Sequence, residues 1–282
     1  MKLKGMKIRW LNAQCFEMKL PNGKYVLTDP CVSKPLEGIP YGAQFEIPGF
    51  TVDDIEGADY IIVNHTHGDH ILDLGTVAKK FNSLVICHTS VAMEVCRFFD
   101  LHPTNVYPVD YEGTYYFDDF TLQTFHGMHQ PSKKPISQRR DTVKDTWGRE
   151  GYHELGCYGS MFNMNWVMTT NENLKVGFFA GDYFKDTMEK WRSIRPNILL
   201  RHRRKMGPKA PQLFIRALEE TGAQLLLPMH HEDWLYEDPE YAGKVMEEVN
   251  RAMEEKGLAS RMFNPERAKW YDINLGIDLS ED

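Results

Sequence analysis

Residues 60 to 70 read Y-I-I-V-N-H-T-H-G-D-H. The first four, Tyr60-Ile61-Ile62-Val63, make an unbroken apolar run of the kind found in strands buried on both faces. The run breaks at Asn64, and three histidines and an aspartate follow within six residues. In an extended segment His65 and His67 project to the same side, so two imidazoles can reach one cation. Gly68 is expected to let the chain turn sharply, sending Asp69 and His70 elsewhere at the start of a helix. One turn thus presents ligands for two adjacent metal ions. A lone histidine usually serves packing or solvation, but packing does not call for H-x-H-x-D-H directly after a buried strand.

The rest of the chain suits a soluble globular enzyme. Its 282 residues suffice for a substantial core, with 42% hydrophobic, 26% charged and 12% aromatic residues. A net charge of -7 gives no general pull towards nucleic acid or anionic membrane. The five cysteines (15, 31, 87, 96 and 157) are odd in number, scattered and without a C-x-x-C pair. That pattern suits reduced thiols and a cytoplasmic location better than a disulfide framework. The charged start, M-K-L-K-G-M-K-I-R-W, has no apolar region behind it, so no signal peptide is expected. No apolar run approaches the length of a membrane span.

Strand and helix patterns alternate on both sides of the histidine turn. Residues 7–11 and 15–20 alternate, Pro21-Asn22-Gly23 suggests a hairpin turn, and 25–28 pairs back. A loop is expected over 31–50, a helix over 71–81, a strand over 84–87 and a helix over 90–99 capped by Ser90. Strands are expected at 106–109, 114–117, 120–125, 160–168, 175–180, 197–200, 224–227 and 268–273. Helices are expected at 185–192, 210–220 and 239–255. Residues 130–156, with six Lys or Arg between 133 and 149, break the rhythm. So long a loop either covers the site or is a solvated insertion. No repeat or linker appears, so residues 1–282 are read as one α/β domain of two sheets covered by helices.

Three later stretches repeat the opening form, a hydrophobic strand ending in a metal-ligand residue. They are Leu122-Gln123-Thr124-Phe125-His126-Gly127-Met128-His129, Val176 through Ala180-Gly181-Asp182, and Leu225-Leu226-Leu227-Pro228-Met229-His230. Rigid strand ends are how an α/β sandwich assembles chemistry on one edge. With these pieces the chain resembles the metallo-β-lactamase-fold hydrolases over nearly its whole length. Thr28-Asp29-Pro30 is a further matching piece, and Met206-Gly207-Pro208 and Pro228-Met229-His230 resemble the branch of L-ascorbate-6-phosphate lactonase and N-acylphosphatidylethanolamine phospholipase D.

The resemblance implies a four-layer αβ/βα sandwich and two divalent metal ions. His65, His67 and His129 would hold one ion, Asp69, His70 and His230 the other, with Asp182 bridging. His126 and His129 lie three positions apart, so on a regular strand only one serves. Spacing in the family matches His129, with His126 as second choice or a site-lining residue. The Pro-Met-His frame favours His230 over His231. Such a donor set suits zinc, with manganese and iron as alternatives. Two such ions lower the pKa of water to about 7 and supply hydroxide near neutral pH. Asp69 would orient that hydroxide and accept a proton as the catalytic carboxylate.

The implied activity is hydrolysis of a small anionic ester, a lactone or a phosphodiester. Arg201, His202 and Arg203 precede Met206-Gly207-Pro208 and are candidate substrate-binding residues, Arg201 and Arg203 being expected to grip an anionic handle on the substrate. The two arginines are expected on one side of a strand extension, with His202 turned away or towards solvent. An RNase Z-like nucleic-acid phosphodiesterase is the alternative, disfavoured by the acidic balance. A diiron oxidoreductase on this fold typically carries Glu in place of His67 and an added flavodoxin-like domain, and neither is here. A membrane or nucleic-acid partner is not expected. Homo-oligomerisation is left open.

Overall fold

The computed structural model describes residues 5–33, 50–129, 163–183, 185–203 and 207–274. The expected loop at 130–156 and most of the 31–50 loop lie outside them. Seven strands in the order β15-β1-β2-β3-β4-β5-β6 form one sheet. Six of them are β1 (Met6–Asn12), β2 (Cys15–Lys19), β3 (Tyr25–Thr28), β4 (Tyr60–Ile62), β5 (Leu84–His88) and β6 (Val106–Val109). The edge strand is β15 (Tyr271–Ile273). Pairing is antiparallel from β15 to β3 and parallel from β3 to β6. The hairpin turn sits where Pro21-Asn22-Gly23 predicts it, with Gly23 at φ 92° and its N–H on the Leu20 carbonyl.

The second sheet carries the order β11-β8-β9-β10-β12-β13-β14. Its strands are β8 (Phe120–Met128), β9 (Met164–Thr170), β10 (Lys175–Phe179), β11 (Asp182–Tyr183), β12 (Ile198–His202), β13 (Leu225–Met229) and β14 (Arg261–Met262). A short β7 (Thr114–Tyr116) also pairs with β8. Alternation along the strands divides the apolar residues among three layers. Ile62, Ile86, Trp166, Phe178, Leu200 and Leu227 meet between the sheets. Leu27, Ile61, Val63 and Val85 point the other way, towards α2 (Leu74–Phe81) and α3 (Ala92–Phe99). Val167, Phe179, Leu199 and Leu226 face α4 (Lys185–Ile194), α5 (Ala210–Thr221) and α7 (Pro239–Glu255). Helix, sheet, sheet and helix therefore stack as four layers, the αβ/βα sandwich.

Three local expectations are corrected. The helix after the histidine turn is not continuous from 71 to 81 but splits into α1 (Gly68–Ile71) and α2. The break falls where Asp73 leaves the helical ladder and accepts the Val32 and Ser33 N–H groups at 2.6 and 2.9 Å. Gly68 opens α1 in helical conformation, so the turn does not exploit a left-handed glycine. Ser90 does not cap α3. Val91 stands at that N-cap, and the Ser90 hydroxyl pairs with His88 Nδ1 at 2.8 Å. A further helix, α6 (Glu232–Glu237), follows β13 with His231 at its N-cap. Among the described residues, no helix is long and apolar enough to cross a membrane.

Candidate metal centre

The histidine turn lies at the C-terminal end of the parallel strand β4, at one edge of the inter-sheet layer. Val63 extends the ladder by donating to the Ile86 carbonyl. Asn64 then ties the two sheets together. Its carbonyl accepts the Met164 N–H at 3.1 Å, and its side-chain amide donates to the Met164 carbonyl at 2.6 Å. With the backbone pinned on both sides, His65 and the residues after it must enter the edge where the sheets face each other.

Two groups of three donors result, the atoms within each lying inside 4.8 Å of one another. The first is His65, His67 and His129, and the second is Asp69, His70 and His230. His65 Nε2 and His67 Nδ1 face each other at 3.1 Å. The His129 ring is 5.1 Å from His65 and 4.7 Å from His67, centroid to centroid. In the second group Asp69 Oδ2 is 3.1 Å from His230 Nε2, and Asp69 Oδ1 is 3.6 Å from His70 Nε2. Tetrahedral ligands at about 2.0–2.2 Å from zinc stand about 3.3–3.6 Å apart, so these spacings fit a shared cation. Asp29, His65 and His70 form a third set within the same limit, which makes the two groups contiguous.

The supporting residues explain the orientation of the rings. Asp29 accepts the Asn64 N–H with Oδ1 at 2.7 Å and pairs through Oδ2 with His70 Nδ1 at 2.8 Å. Glu232, at the start of α6, pairs with His230 Nδ1 at 2.9 Å. Nδ1 is thereby engaged in both histidines and Nε2 is left to face Asp69. His230 adopts a left-handed backbone (φ 54°), held by its N–H on the Ala13 carbonyl at 2.9 Å. Such a conformation costs a non-glycine residue on the order of 1–3 kcal/mol and concentrates at functional sites.

Electrostatics follow burial and neighbours. Burial alone would raise the Asp69 carboxyl, but the His70 and His230 rings hold it well below the usual carboxylate range. Burial lowers His230, yet the Glu232 and Asp69 carboxylates overcome that and push it up to about 10. Burial and the surrounding imidazoles hold His65 well below its ordinary value. His231 is a different case. Its ring lies 4.6 Å from Trp10 and 5.1 Å from Trp234, and burial takes it down to about 3. It packs as an aromatic residue against Trp10 and Trp234 and belongs to neither donor group.

The other residues singled out from sequence separate clearly. Asp182 pairs by its backbone with Met128, next to His129, while its side chain lies outside the described atoms. Gly181 permits that approach, since a Cβ there would collide with the Met128 carbonyl oxygen. His126 stacks on Tyr111 with centroids 4.4 Å apart. His202 is 5.1 Å from the His230 ring, so the expectation that it turns away is corrected. Arg201 is corrected too. Its guanidinium is buried, lies over the Phe179 ring, and donates to the Phe179 and Gly181 carbonyls at 3.1 Å each. Strand alternation is the cause: with Leu200 between the sheets, Arg201 falls on the helix side and His202 on the site side. Arg203 lies just past β12, its N–H on the Met229 carbonyl and its own carbonyl accepting from Trp234 Nε1.

Arg201 therefore braces the turn that carries Asp182. Arg201→Ala is expected to destabilise the fold by about 2–3 kcal/mol, in line with buried hydrogen bonds from a charged donor, and to reduce metal retention. Thermal melts and metal content check both effects. Four supporting residues had no assigned role from sequence: Asp29, Asn64, Asn165 and Glu232. Asn165 Oδ1 accepts the Ala180 N–H at 2.9 Å, from the strand alongside. Only Asp29 had a signal, its place in Thr28-Asp29-Pro30.

Comparison with known proteins agrees with this architecture. Residues 24–149 match the model of the Beta-lactamase superfamily domain. A UPF0173 metal-dependent hydrolase of Flavobacterium johnsoniae is 28% identical over 110 residues, 39% of this chain and 43% of that protein. One of Carboxydothermus hydrogenoformans is 24% identical over 216 residues, 74% of this chain and 80% of its own length. The match to the first relative thus spans less than half of that protein. Igni18, a metallo hydrolase from Ignicoccus hospitalis, superposes with a TM-score of 0.63 at 11% identity, covering 96% of this chain and 99% of its own. The chain has the metallo-β-lactamase fold.

Proposed function

We propose that this protein is a metal-dependent hydrolase acting on an ester, lactone or phosphodiester bond of a small molecule. The carrying observation is the pair of contiguous three-donor groups at one sheet edge. His65, His67 and His129 would hold one divalent ion and Asp69, His70 and His230 a second, with Asp182 between them. Zinc is the ion the His-rich donor set suits best. Bound metal would supply Lewis-acid activation of water and of the electrophile. Asp69, kept anionic by its histidine neighbours, orients the attacking water and takes up its proton. His202 and His126 remain as residues near a bound substrate. The anionic handle no longer rests on Arg201, whose guanidinium is committed to the backbone. The relatives named as metal-dependent hydrolases support the class of activity, and the lactonase and phospholipase D branch supplies the first substrates to try.

The test is elemental analysis of protein reconstituted with zinc, followed by a panel of esters, lactones and phosphodiesters. Close to two ions per chain and turnover on one panel member are expected. Trace metal after reconstitution would sink the reading. Within this test, His129→Ala should lose metal and activity far more than His126→Ala, because the His129 ring sits with His65 and His67 while His126 stacks on Tyr111.

A further inference from the structure

The layer between the sheets is not filled evenly. Where β15 and β14 end the two sheets, a cavity of about 150 Å³ lies between β1 and β15 on one side and β13 and the 263–265 segment on the other. Its lining includes none of the donor residues. Ile8, Trp10, Phe16 and Leu227, all buried, form the inner wall. Towards solvent stand Phe263, 38% exposed, and Tyr271, their rings edge-on with centroids 5.1 Å apart. Strand alternation makes this wall apolar. Ile8 pairs with Tyr271 and Met6 with Ile273, so these side chains share the inter-sheet face. Arg9 and Asp272, the charged residues of the lining, alternate with them and turn outwards. Arg9 is held by Glu17 at 2.7 Å and Asp272 by Lys7 at 3.4 Å, so each offers the cavity its backbone alone. The polar tips of the wall are engaged as well. Trp10 Nε1 donates to the Ala13 carbonyl at 3.1 Å, and the Tyr271 hydroxyl accepts the Glu266 N–H at 3.0 Å.

We infer that this cavity is a second binding site, separate from the donor groups, for a neutral apolar small molecule the size of one aromatic ring. Size and lining both point to that class. An apolar cavity of about 150 Å³ in a protein interior takes up benzene, because water finds too few partners in it. A ring placed there gains the dispersion contacts that the wall atoms otherwise lack. A charged or strongly polar ligand would surrender its hydration and meet no side-chain partner in return. The site uses no donor residue, so it stands or falls independently of the hydrolase reading.

The experiment is a benzene titration of the full-length protein carrying labelled Ile and Leu methyl groups, followed by NMR. The ring current of bound benzene should shift the Ile8, Leu225, Leu227 and Ile273 methyl signals, saturating with a half-point on the order of 1 mM. Ile61 and Leu74, which pack in the layer on the far side of the first sheet, should not move. Ile273→Trp fills the cavity from the edge strand and should remove the response of Ile8 and Leu227. Should that variant not fold, Leu225→Trp fills the same space from the other sheet. Absence of a saturable shift in wild type overturns the inference. Shifts of equal size at Ile61 and Leu74 overturn it too, since they mean general partitioning into the core. So does a folded cavity-filling variant that responds as wild type does.

Discussion

Replacing Asp69 with Asn is expected to lower turnover by about 10²–10⁴-fold, the usual worth of a positioned general base. Asp69 is the one carboxylate in the histidine turn, and its two oxygens meet His70 and His230 at 3.6 and 3.1 Å. Those rings keep it anionic despite its burial. Asparagine has the same shape but can neither carry the charge nor take up a proton. The second donor group should also weaken, so bound zinc should fall towards one ion per chain while His65, His67 and His129 retain theirs. The assay is kcat on the best member of the substrate panel, alongside metal content after reconstitution. Activity within tenfold of wild type would remove Asp69 from the catalytic role and leave it a ligand at most.

Glu17→Ala should have the largest effect on stability, a loss of about 3–5 kcal/mol, typical of breaking one side of a buried ion pair. Arg9 and Glu17 face each other across β1 and β2, with Glu17 fully buried and Arg9 only 6% exposed. Glu17 accepts from Arg9 Nε at 2.7 Å and from the Glu56 and Gly57 N–H groups at 2.9 and 3.0 Å. Arg9 in turn reaches the Asp54 carbonyl and lies over the Trp270 ring. The pair thus fastens the 54–57 segment, which leads into β4, onto the hairpin. Alanine leaves the guanidinium with only the more distant, half-exposed Glu56 carboxylate at 3.8 Å, and two N–H groups without an acceptor. For a chain of this size the melting temperature should drop on the order of 10 °C. The double variant Arg9→Met/Glu17→Leu should recover much of the loss, since no lone charge remains. A single variant within about 1 kcal/mol of wild type, by urea denaturation, would contradict this account.

How much of the centre can be read without coordinates depends on how local its determinants are. The buried strand and the H-x-H-x-D-H turn are contiguous, so apolar run, break and ligand types appear together in eleven residues. The strand-end candidates at 129, 182 and 230 are legible for the same reason, each following its own hydrophobic run. The expected 120–125 strand in fact continues to Met128, which carries His126 into the ladder and sets His129 just beyond it. The helix break at Asp73 was not legible, because its cause is the backbone of Val32 and Ser33, some forty residues earlier.

The sequence by itself determined the alternation of strands and helices, the layers they build and the ligand-rich turn after β4. Periodicity also placed Arg201 and His202 on opposite faces of one strand. Only the tertiary structure decided which face looks onto the donor groups, because alternation carries no information about where the second sheet lies. The partnerships that orient the ligands are equally non-local. His70 meets Asp29 across 41 positions and His230 meets Asp69 across 161. Packing of the two sheets brings those pairs together, and no local pattern encodes the distance between them.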